Sequence, residues 1–362
     1  MKPGLGTWRL FLAFLVAISH LWAGMIDGPA AYAVWGFFVL SGYLVTLVLT
    51  TRYGFEADGL RQFAFNRLLR IYPSYIAAGA FGIVTILCAH RLGIDPTRLN
   101  PQFMLPQTGG EWFGNLAMIP FVSQQGLPVP VAAALFVEVW AYALMPLLAQ
   151  SKTAALAGFA VAFLANVQFG FGMPTFIDRY CGFATGLMPF AFGAVVCHYR
   201  GSLRRFAWPA ISVLAWCVHG TYWLIDPYWP WTYGLWLSVP LSAWVVLSLA
   251  NVKPNSMDVF AGKLSYPVYL LHTTVAAWFV PCFGPGRGIW FFAASFTATL
   301  AASAVMLRFV DSPMQRLRIA AHGDPNPVSQ PSFPRTDRTN NDCRSAPGSP
   351  PDGTARKTPA GP

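Results

Sequence analysis

The sequence predicts an all-α polytopic membrane protein of about ten transmembrane helices, with both termini in the cytoplasm. Of its 362 residues, 55% are hydrophobic and only 10% are charged, whereas soluble domains carry about 25% charged residues. Ten apolar runs are long enough, or nearly so, to cross about 30 Å of hydrocarbon. The runs lie near residues 8–24, 31–50, 72–90, 131–149, 153–170, 183–198, 207–225, 233–250, 266–283 and 289–309.

The distribution of Lys and Arg between successive loops supports this topology. Ten spans place fifteen basic residues on the side of the N-terminus and four on the other, which are Arg91, Arg98, Arg179 and Arg287. Loops rich in Lys and Arg stay in the cytoplasm, so we expect both termini there, with the chain in the inner (plasma) membrane. The net charge of +10 is spread over short loops, and without a continuous basic patch it argues against nucleic acid as a partner.

The chain divides into a membrane domain and a polar tail. Residues 1–320 contain the apolar runs, whereas residues 321–362 are rich in Pro, Ser, Asp, Asn, Gly and Arg, a composition that predicts a disordered cytoplasmic tail. The longest outer loop, residues 91–130, is expected to form a lid or a short re-entrant helix around Trp112–Phe121. A cleaved signal peptide is an alternative for the first run, but no small-x-small cleavage site follows it.

The first apolar run carries an arginine near its start and a histidine near its end. Arg9 and His20 are eleven residues apart, a separation of roughly 16 Å along a helix. A titratable imidazole is costly to place in a lipid-spanning segment, and such residues mark functional sites. We therefore take His20 as the leading candidate for a functional residue.

Two further motifs lie in and just before the next two apolar runs. Ser41 and Gly42 form a small pair that lets a backbone or a thin ligand approach closely, and helix packing alone is an equal alternative for Ser41. Arg67 and Arg70 are spaced i and i+3, so they share one helix face. Paired guanidiniums there suit a polyphosphate, with an anchor to lipid phosphate as the alternative. Pro73 is expected to perturb the helix at the membrane edge.

Glu138 is a carboxylate inside the fourth apolar run. Its position places it roughly 10 Å below the outer face, where an unpaired carboxylate is costly. His20 also falls in the outer half, so a His20–Glu138 pair is geometrically allowed, in which the carboxylate fixes the imidazole tautomer and stabilises its protonated form. The alternatives are that Glu138 pairs with Arg179 or holds the backbone of an outer loop.

These features occur in the same order in a known family. Arg9-x10-His20, FFVLSGYL, RLLRIYP, the Glu138–Tyr142 segment and GKLSYPVYLLH resemble motifs of the membrane-bound acyltransferase family 3, whose members O-acylate sugars and other hydroxylated acceptors. The resemblance covers roughly residues 5–318. A closing RFVDSP segment looks like the family's Arg-Phe-x-Glu-x-Pro pattern, with Asp311 in the place of Glu.

The resemblance implies two groups of site residues. The catalytic group is His20 with Arg9 and Glu138, and the group associated with the acyl donor is Arg67, Arg70, Ser41 and Gly42. Glu138 follows Ala133-Ala134-Leu135 here, where the family has Trp-Ser-Leu, so the local pocket differs from the family pattern. His272 matches a histidine of the family, either as a donor-channel residue or as a structural one.

The resemblance also implies an acyl-CoA-dependent O-acyltransferase. Acyl-CoA, with acetyl-CoA favoured, is expected to dock its phosphates at the cytoplasmic edge and to bring its thioester to His20. A sugar hydroxyl of a polysaccharide or glycolipid, or of another acceptor, would arrive from the outer side. His20 would act as general base and Glu138 would stabilise the imidazolium, with a covalent acyl-histidine as a less favoured variant.

Other classes of protein remain open from the residues alone. Ten spans with charges near the midplane also suit a transporter of a glycolipid, a sugar or an organic acid, but the two halves of the sequence show no repeat symmetry. A non-catalytic scaffold explains the hydropathy but not the set of charged residues. The six cysteines form no CxxC pair and no spacing with histidine that suits zinc, so we expect no metal.

Overall fold

The computed structural model describes residues 3–26, 28–119 and 126–320, which form an all-helical protein. This part of the chain contains fifteen α-helices and no β-strand, so the predicted all-α class is confirmed. The bounds are α1 (Leu5–Leu21), α2 (Ala30–Val48), α3 (Ala57–Arg91), α4 (Gly109–Leu116), α5 (Ala132–Leu148), α6 (Lys152–Gln168), α7 (Phe176–Cys181), α8 (Phe183–His198), α9 (Arg200–Leu203), α10 (Pro209–Thr221), α11 (Tyr233–Leu249), α12 (Ser256–Ala277), α13 (Val280–Phe283), α14 (Ile289–Met306) and α15 (Ser312–Ala320). The predicted tail, residues 321–362, lies outside the described residues.

Each of the ten predicted runs overlaps a helix of the structure, and the run 266–283 overlaps both α12 and α13. Within the described residues, three helical stretches are long and apolar enough to cross a membrane once the π-helical turns after α2 and α14 and the start of α15 are included: Ala30–Tyr53, Ala57–Arg91 and Ile289–Leu317. Helices α1, α5, α6, α8 and α11 are also apolar but have only 10–17 residues each. The count of ten spans and the cytoplasmic location of the termini therefore stay predictions.

Helices α1 and α12 pack closely, in parallel and in register. The first turn of α1 donates three hydrogen bonds to the carboxylate of Asp258, from the backbone of Gly6 and from the backbone and hydroxyl of Thr7 (2.7–3.3 Å). A Cβ atom on Gly6 would clash with the carbonyl oxygen of Asp258, so glycine alone permits this crossing. Fourteen residues further along both helices, His20 lies beside His272. A carboxylate at a helix N-terminus is also favoured by the helix dipole.

A second close crossing joins α2 and α8. A Cβ atom on Gly42 would clash with the carbonyl oxygen of Phe190, and one on Gly193 would clash with that of Val39. Gly42, predicted to contact the acyl donor, therefore lies against the backbone of α8. Helix packing accounts for this glycine, as it does for small residues at membrane helix contacts in general.

Helix α3 is continuous from Ala57 to Arg91 and contains Pro73. The sequence predicted a perturbed helix at this proline, but the helix continues through it, because proline is tolerated where neighbouring helices support the backbone. Arg67 is the eleventh residue of α3, so it lies roughly 15 Å from the start of the helix. Arg67 and Arg70 therefore project from the interior of this helix rather than from its end.

The loop between α3 and α5, predicted to lie on the outer side, contains the short helix α4. This helix covers Gly109–Leu116, which overlaps only the first half of the region Trp112–Phe121 where a re-entrant helix was predicted, and residues 120–125 lie outside the described residues. Its side chains Trp112 and Phe113 are exposed. Its backbone is tied inward by Tyr75 of α3, whose hydroxyl donates to the carbonyl oxygen of Asn115 (3.0 Å).

The last residues of the same loop are buried inside the protein. Residues 126–131 are all buried, and the carbonyl oxygen of Val131, just before α5, accepts a hydrogen bond from the hydroxyl of Tyr269 (2.8 Å). Tyr269 precedes His272 by three residues in α12, which is less than one helical turn. Helix α5 therefore begins near the level of Tyr269 and His272, about two turns before the C-terminal end of α12.

Candidate active site

A cavity of about 50 Å³ lies among helices α1, α2, α3, α5 and α12. One water molecule needs about 10–15 Å³ of such space, so a few waters would fit. The charged side chains that line the cavity are Arg9, Arg70 and Glu138. Hydroxyl-bearing side chains make up much of the remaining wall, including Tyr142 and Ser265. Side chains from distant parts of the chain therefore meet at one polar cavity.

Arg9 brings an unpartnered hydrogen-bond donor to this cavity. Its Nε atom is buried and has no hydrogen-bond partner in the part of the chain that the structure describes. An orphaned buried donor is costly, so a ligand with acceptor oxygens would relieve it. Arg70, Glu138 and Arg67 all lie within electrostatic range of the Arg9 guanidinium.

Arg67 and Arg70 lie on one face of α3, as their spacing predicted. The guanidinium carbon of Arg67 is 5.1 Å from the ring centroid of Tyr142 and 5.4 Å from that of Phe63. Such cation–π contacts hold a guanidinium over an aromatic face. Arg70 lines the cavity directly, and Asp311 lies within its electrostatic range. Three arginines thus converge on the same end of the site.

Glu138 is held by two hydroxyl groups. Ser41 Oγ donates to Glu138 Oε1 (2.8 Å), and the hydroxyl of Tyr142 donates to the same oxygen. Among the described residues, no ion pair joins Glu138 to an arginine. The carboxylate therefore offsets part of the positive charge of the three arginines. Because it forms no such ion pair with them, their N–H groups are not used up by Glu138. Ser41, predicted to contact the acyl donor, here positions Glu138.

His20 lies near the other end of α1, outside the lining of the cavity. Its ring centroid is 5.4 Å from that of His272, which in turn lies 6.3 Å from that of Tyr269, a residue of the cavity wall. His272 is fully buried, and its Nδ1 donates to the carbonyl oxygen of Val268 (3.2 Å). Its Nε2 has no partner within the described ranges. The rings of Tyr269 and His272, both in α12, therefore form a continuous row of side chains from the cavity wall to His20.

The predicted His20–Glu138 pair is not formed among the described residues. Helix α5 begins near the level of His272, and Glu138 lies seven residues beyond Val131, roughly 10 Å further along the helix. This places the carboxylate with the arginines. The alternative of a Glu138–Arg179 pair is wrong as well, because the Arg179 guanidinium donates to backbone carbonyl oxygens of two loops.

Comparison with known proteins decides the family. A family model described as an acyltransferase domain matches residues 3–308. The chain belongs to acyltransferase family 3. No curated protein and no solved structure matches the chain. The resemblance of the ordered motifs is thus confirmed, and the match supports a membrane acyltransferase rather than a transporter.

Two tyrosines hold the cavity of the acyltransferase together, and the sequence did not single them out. The hydroxyl of Tyr266 donates to the carbonyl oxygen of Ile71 in α3 (3.1 Å), and Tyr269 donates to Val131 before α5. Both belong to the segment that ends at His272. Their signal in the sequence is a spacing of three residues, which places both phenols on one helix face, where buried hydroxyls need partners.

The acyltransferase site therefore has two chemically different ends. The end with Arg9 carries an excess of guanidinium groups and is suited to an anion. The end with His20 carries an imidazole, the side chain most often used for general base catalysis at neutral pH. Roughly 16 Å of α1 separates these two ends, so one extended ligand could contact both.

Proposed function

We propose that this acyltransferase moves an acetyl group from cytoplasmic acyl-CoA to a hydroxyl of a sugar on a surface polysaccharide or glycolipid, in the plasma membrane. Two arginines that line one cavity, Arg9 and Arg70, carry the proposal together with Arg67, which lies over the ring of Tyr142 in the cavity wall. Coenzyme A presents phosphates, and bidentate guanidinium–phosphate contacts are among the strongest polar contacts in proteins. A phosphate oxygen of this kind would satisfy the buried, unpartnered Nε donor of Arg9.

The donor would lie along α1. Its phosphates would bind at the arginine end, on the side of the chain predicted to be cytoplasmic, and its flexible arm would extend past Tyr269 and His272. The thioester would then reach His20. The acceptor would approach from the opposite side, because the end of α1 that carries His20 lies on the predicted outer side.

His20 acts as general base in the proposed reaction. Its imidazole removes the proton of the acceptor hydroxyl while the hydroxyl oxygen attacks the thioester carbonyl. The resulting tetrahedral intermediate collapses, the C–S bond breaks, and the thiolate of coenzyme A takes the proton back from the imidazolium. One ester bond forms and one thioester bond is lost, so no oxidant, reductant or metal is needed.

Glu138 has a different role from the one expected from sequence. Held by Ser41 and Tyr142, it would orient the guanidinium of Arg9 and limit the electrostatic repulsion among the three arginines. It does not serve as the stabiliser of the His20 imidazolium, because it lies at the arginine end. This role predicts that loss of the carboxylate impairs donor binding more than proton transfer.

Mass spectrometry of surface glycans and glycolipids from cells with and without the gene tests the proposal. Cells that express the wild-type chain should contain acetyl esters that the deletion strain lacks, and His20→Ala should abolish them while the protein still inserts. A matched control is His90→Ala, since this histidine is exposed at the end of α3. Unchanged ester content in His20→Ala cells would refute the scheme.

A further inference from the structure

The outer loop between α13 and α14 contains an arginine with an unusual backbone. Arg287 has a φ of +49°, and among the described residues it shares a positive φ only with Met118 and with glycines. An L residue keeps this left-handed conformation when its surroundings fix it. The sequence places Gly286 and Gly288 on either side, yet the arginine itself occupies the restricted position. Contacts with the surrounding residues must therefore hold Arg287 in this conformation.

Arg287 forms one hydrogen bond to the last turn of α1 and another to the segment that follows the helix. Its Nη1 donates to the carbonyl oxygen of His20 (3.2 Å), and its own carbonyl oxygen accepts from the backbone of Ala23 (2.9 Å). The last four carbonyls of a helix lack intrahelical partners, and an arginine that bonds to one of them caps the helix. Arg287 therefore fixes the segment that carries His20.

The same arginine lies within electrostatic range of the His20 imidazole. His20 is half-buried and has His272 on its other side, with the ring centroids 5.4 Å apart. The imidazole is therefore held between α12 and the α13–α14 loop. Arg287 is also half-buried, so it belongs to the wall on the side from which the acceptor is proposed to arrive.

We propose that Arg287 is a positioning residue for His20. Its backbone and guanidinium fix the end of α1, and with it the depth and orientation of the imidazole toward the two substrates. The inference rests on the proposed function of His20 as a general base. Because the arginine end of the site lies roughly 16 Å away along α1, the loss of Arg287 should lower kcat for acetyl transfer and leave the KM for acyl-CoA unchanged.

Arg287→Gly gives the sharpest test, because glycine adopts a positive φ without strain. We expect the full-length variant in membranes to fold with a thermal stability close to that of the wild type, because the relief of backbone strain offsets the lost hydrogen bond to His20. The kcat for transfer of labelled acetyl from acetyl-CoA should fall about 10- to 100-fold, as small misplacements of catalytic groups cause. Added guanidinium ion should restore part of the rate.

Arg98→Ala, at an exposed outer-loop arginine, is the control and should have the kcat of the wild type. Wild-type kcat in Arg287→Gly would overturn the proposal.

Chemical labelling of His20 separates this inference from the proposed function. Diethyl pyrocarbonate modifies accessible imidazoles, and peptide mass spectrometry reports each histidine without any turnover. Labelling of His20 should rise severalfold in Arg287→Gly, while the exposed His90 serves as internal reference in both proteins. If the wild type transfers no acetyl group, the proposed function fails, yet a raised His20 reactivity still supports the role of Arg287. Equal labelling in both proteins would overturn it.

Discussion

The rings of His20 and His272 lie beside each other, with centroids 5.4 Å apart. His20 is the penultimate residue of α1, whereas His272 lies in α12 and uses its Nδ1 to donate to the carbonyl oxygen of Val268 within its own helix. The Nε2 of His272 has no partner in the described part of the protein. A buried polar atom without a partner is costly, so its presence beside His20 indicates a role for this nitrogen in the site.

Replacing His272 by two different residues separates packing from polarity. His272→Ala should destabilise the protein because it leaves a cavity in α12. His272→Phe should retain the ring packing and the thermal stability, yet lower kcat about tenfold, the equivalent of one lost hydrogen bond. Acetyl transfer and thermal unfolding in detergent measure the two effects. Wild-type kcat in His272→Phe would show that this histidine is only structural.

Substitution of the paired arginines should act on the donor. Arg67→Ala and Arg70→Ala are each expected to raise the KM for acyl-CoA about 10- to 100-fold, the range for one charge-assisted hydrogen bond of about 1.5–3 kcal/mol, while the KM for the acceptor stays constant. Arg61→Ala is the matched control, because Arg61 is exposed on the same helix and pairs with Asp58. A parallel rise in both KM values would argue against a donor site at these residues.

Tyr269→Phe tests whether the depth of α5 matters for the site. The change removes the hydrogen bond to Val131, with an expected loss of about 0.5–1.5 kcal/mol in the free energy of unfolding. Because Val131 precedes the helix that carries Glu138, the KM for acyl-CoA should also rise. Tyr228→Phe, at an exposed tyrosine, should leave both values unchanged. A KM equal to that of the wild type would mean that this bond does not position the carboxylate.

Gly6→Ala tests the crossing of α1 and α12. A Cβ atom there would clash with the carbonyl oxygen of Asp258, and such overpacking typically costs about 1–3 kcal/mol. We expect a lower midpoint of thermal unfolding. Gly201→Ala is the control, since a Cβ atom at that position meets no atom within 4 Å. Equal midpoints for the two variants would contradict the close approach of the helices.

The helices could be predicted from the sequence because they follow from the composition of short stretches of the chain. Apolar composition over about twenty residues is sufficient to mark a membrane helix, and the i, i+3 spacing placed Arg67 and Arg70 on one face. The family motifs also identified residues that the structure brings to one site, among them Arg9 and Glu138. The helices and the shared face of Arg67 and Arg70 depend on residues that are close in sequence and on little else.

The position of Glu138 depends on contacts that are distant in sequence, and the prediction there was wrong. Counting along α5 assumed that the helix begins at the outer face, whereas the buried segment 126–131 and the hydroxyl of Tyr269 place its start about two turns before the end of α12. Arg287 illustrates the same limit. A charge count treated it as one of four outer basic residues, but its contact with His20 joins positions 267 residues apart.

The bond from Gly4 to Asp258 joins positions 254 residues apart, and this distance has a consequence for biogenesis. The ribosome completes the opening helix long before the carboxylate that caps it has been translated. A nascent chain that stops before α12 therefore also lacks His272, the neighbour of His20. Assembly of the proposed catalytic end must wait until most of the polypeptide has been made, so prematurely terminated products should be inactive even when they reach the bilayer.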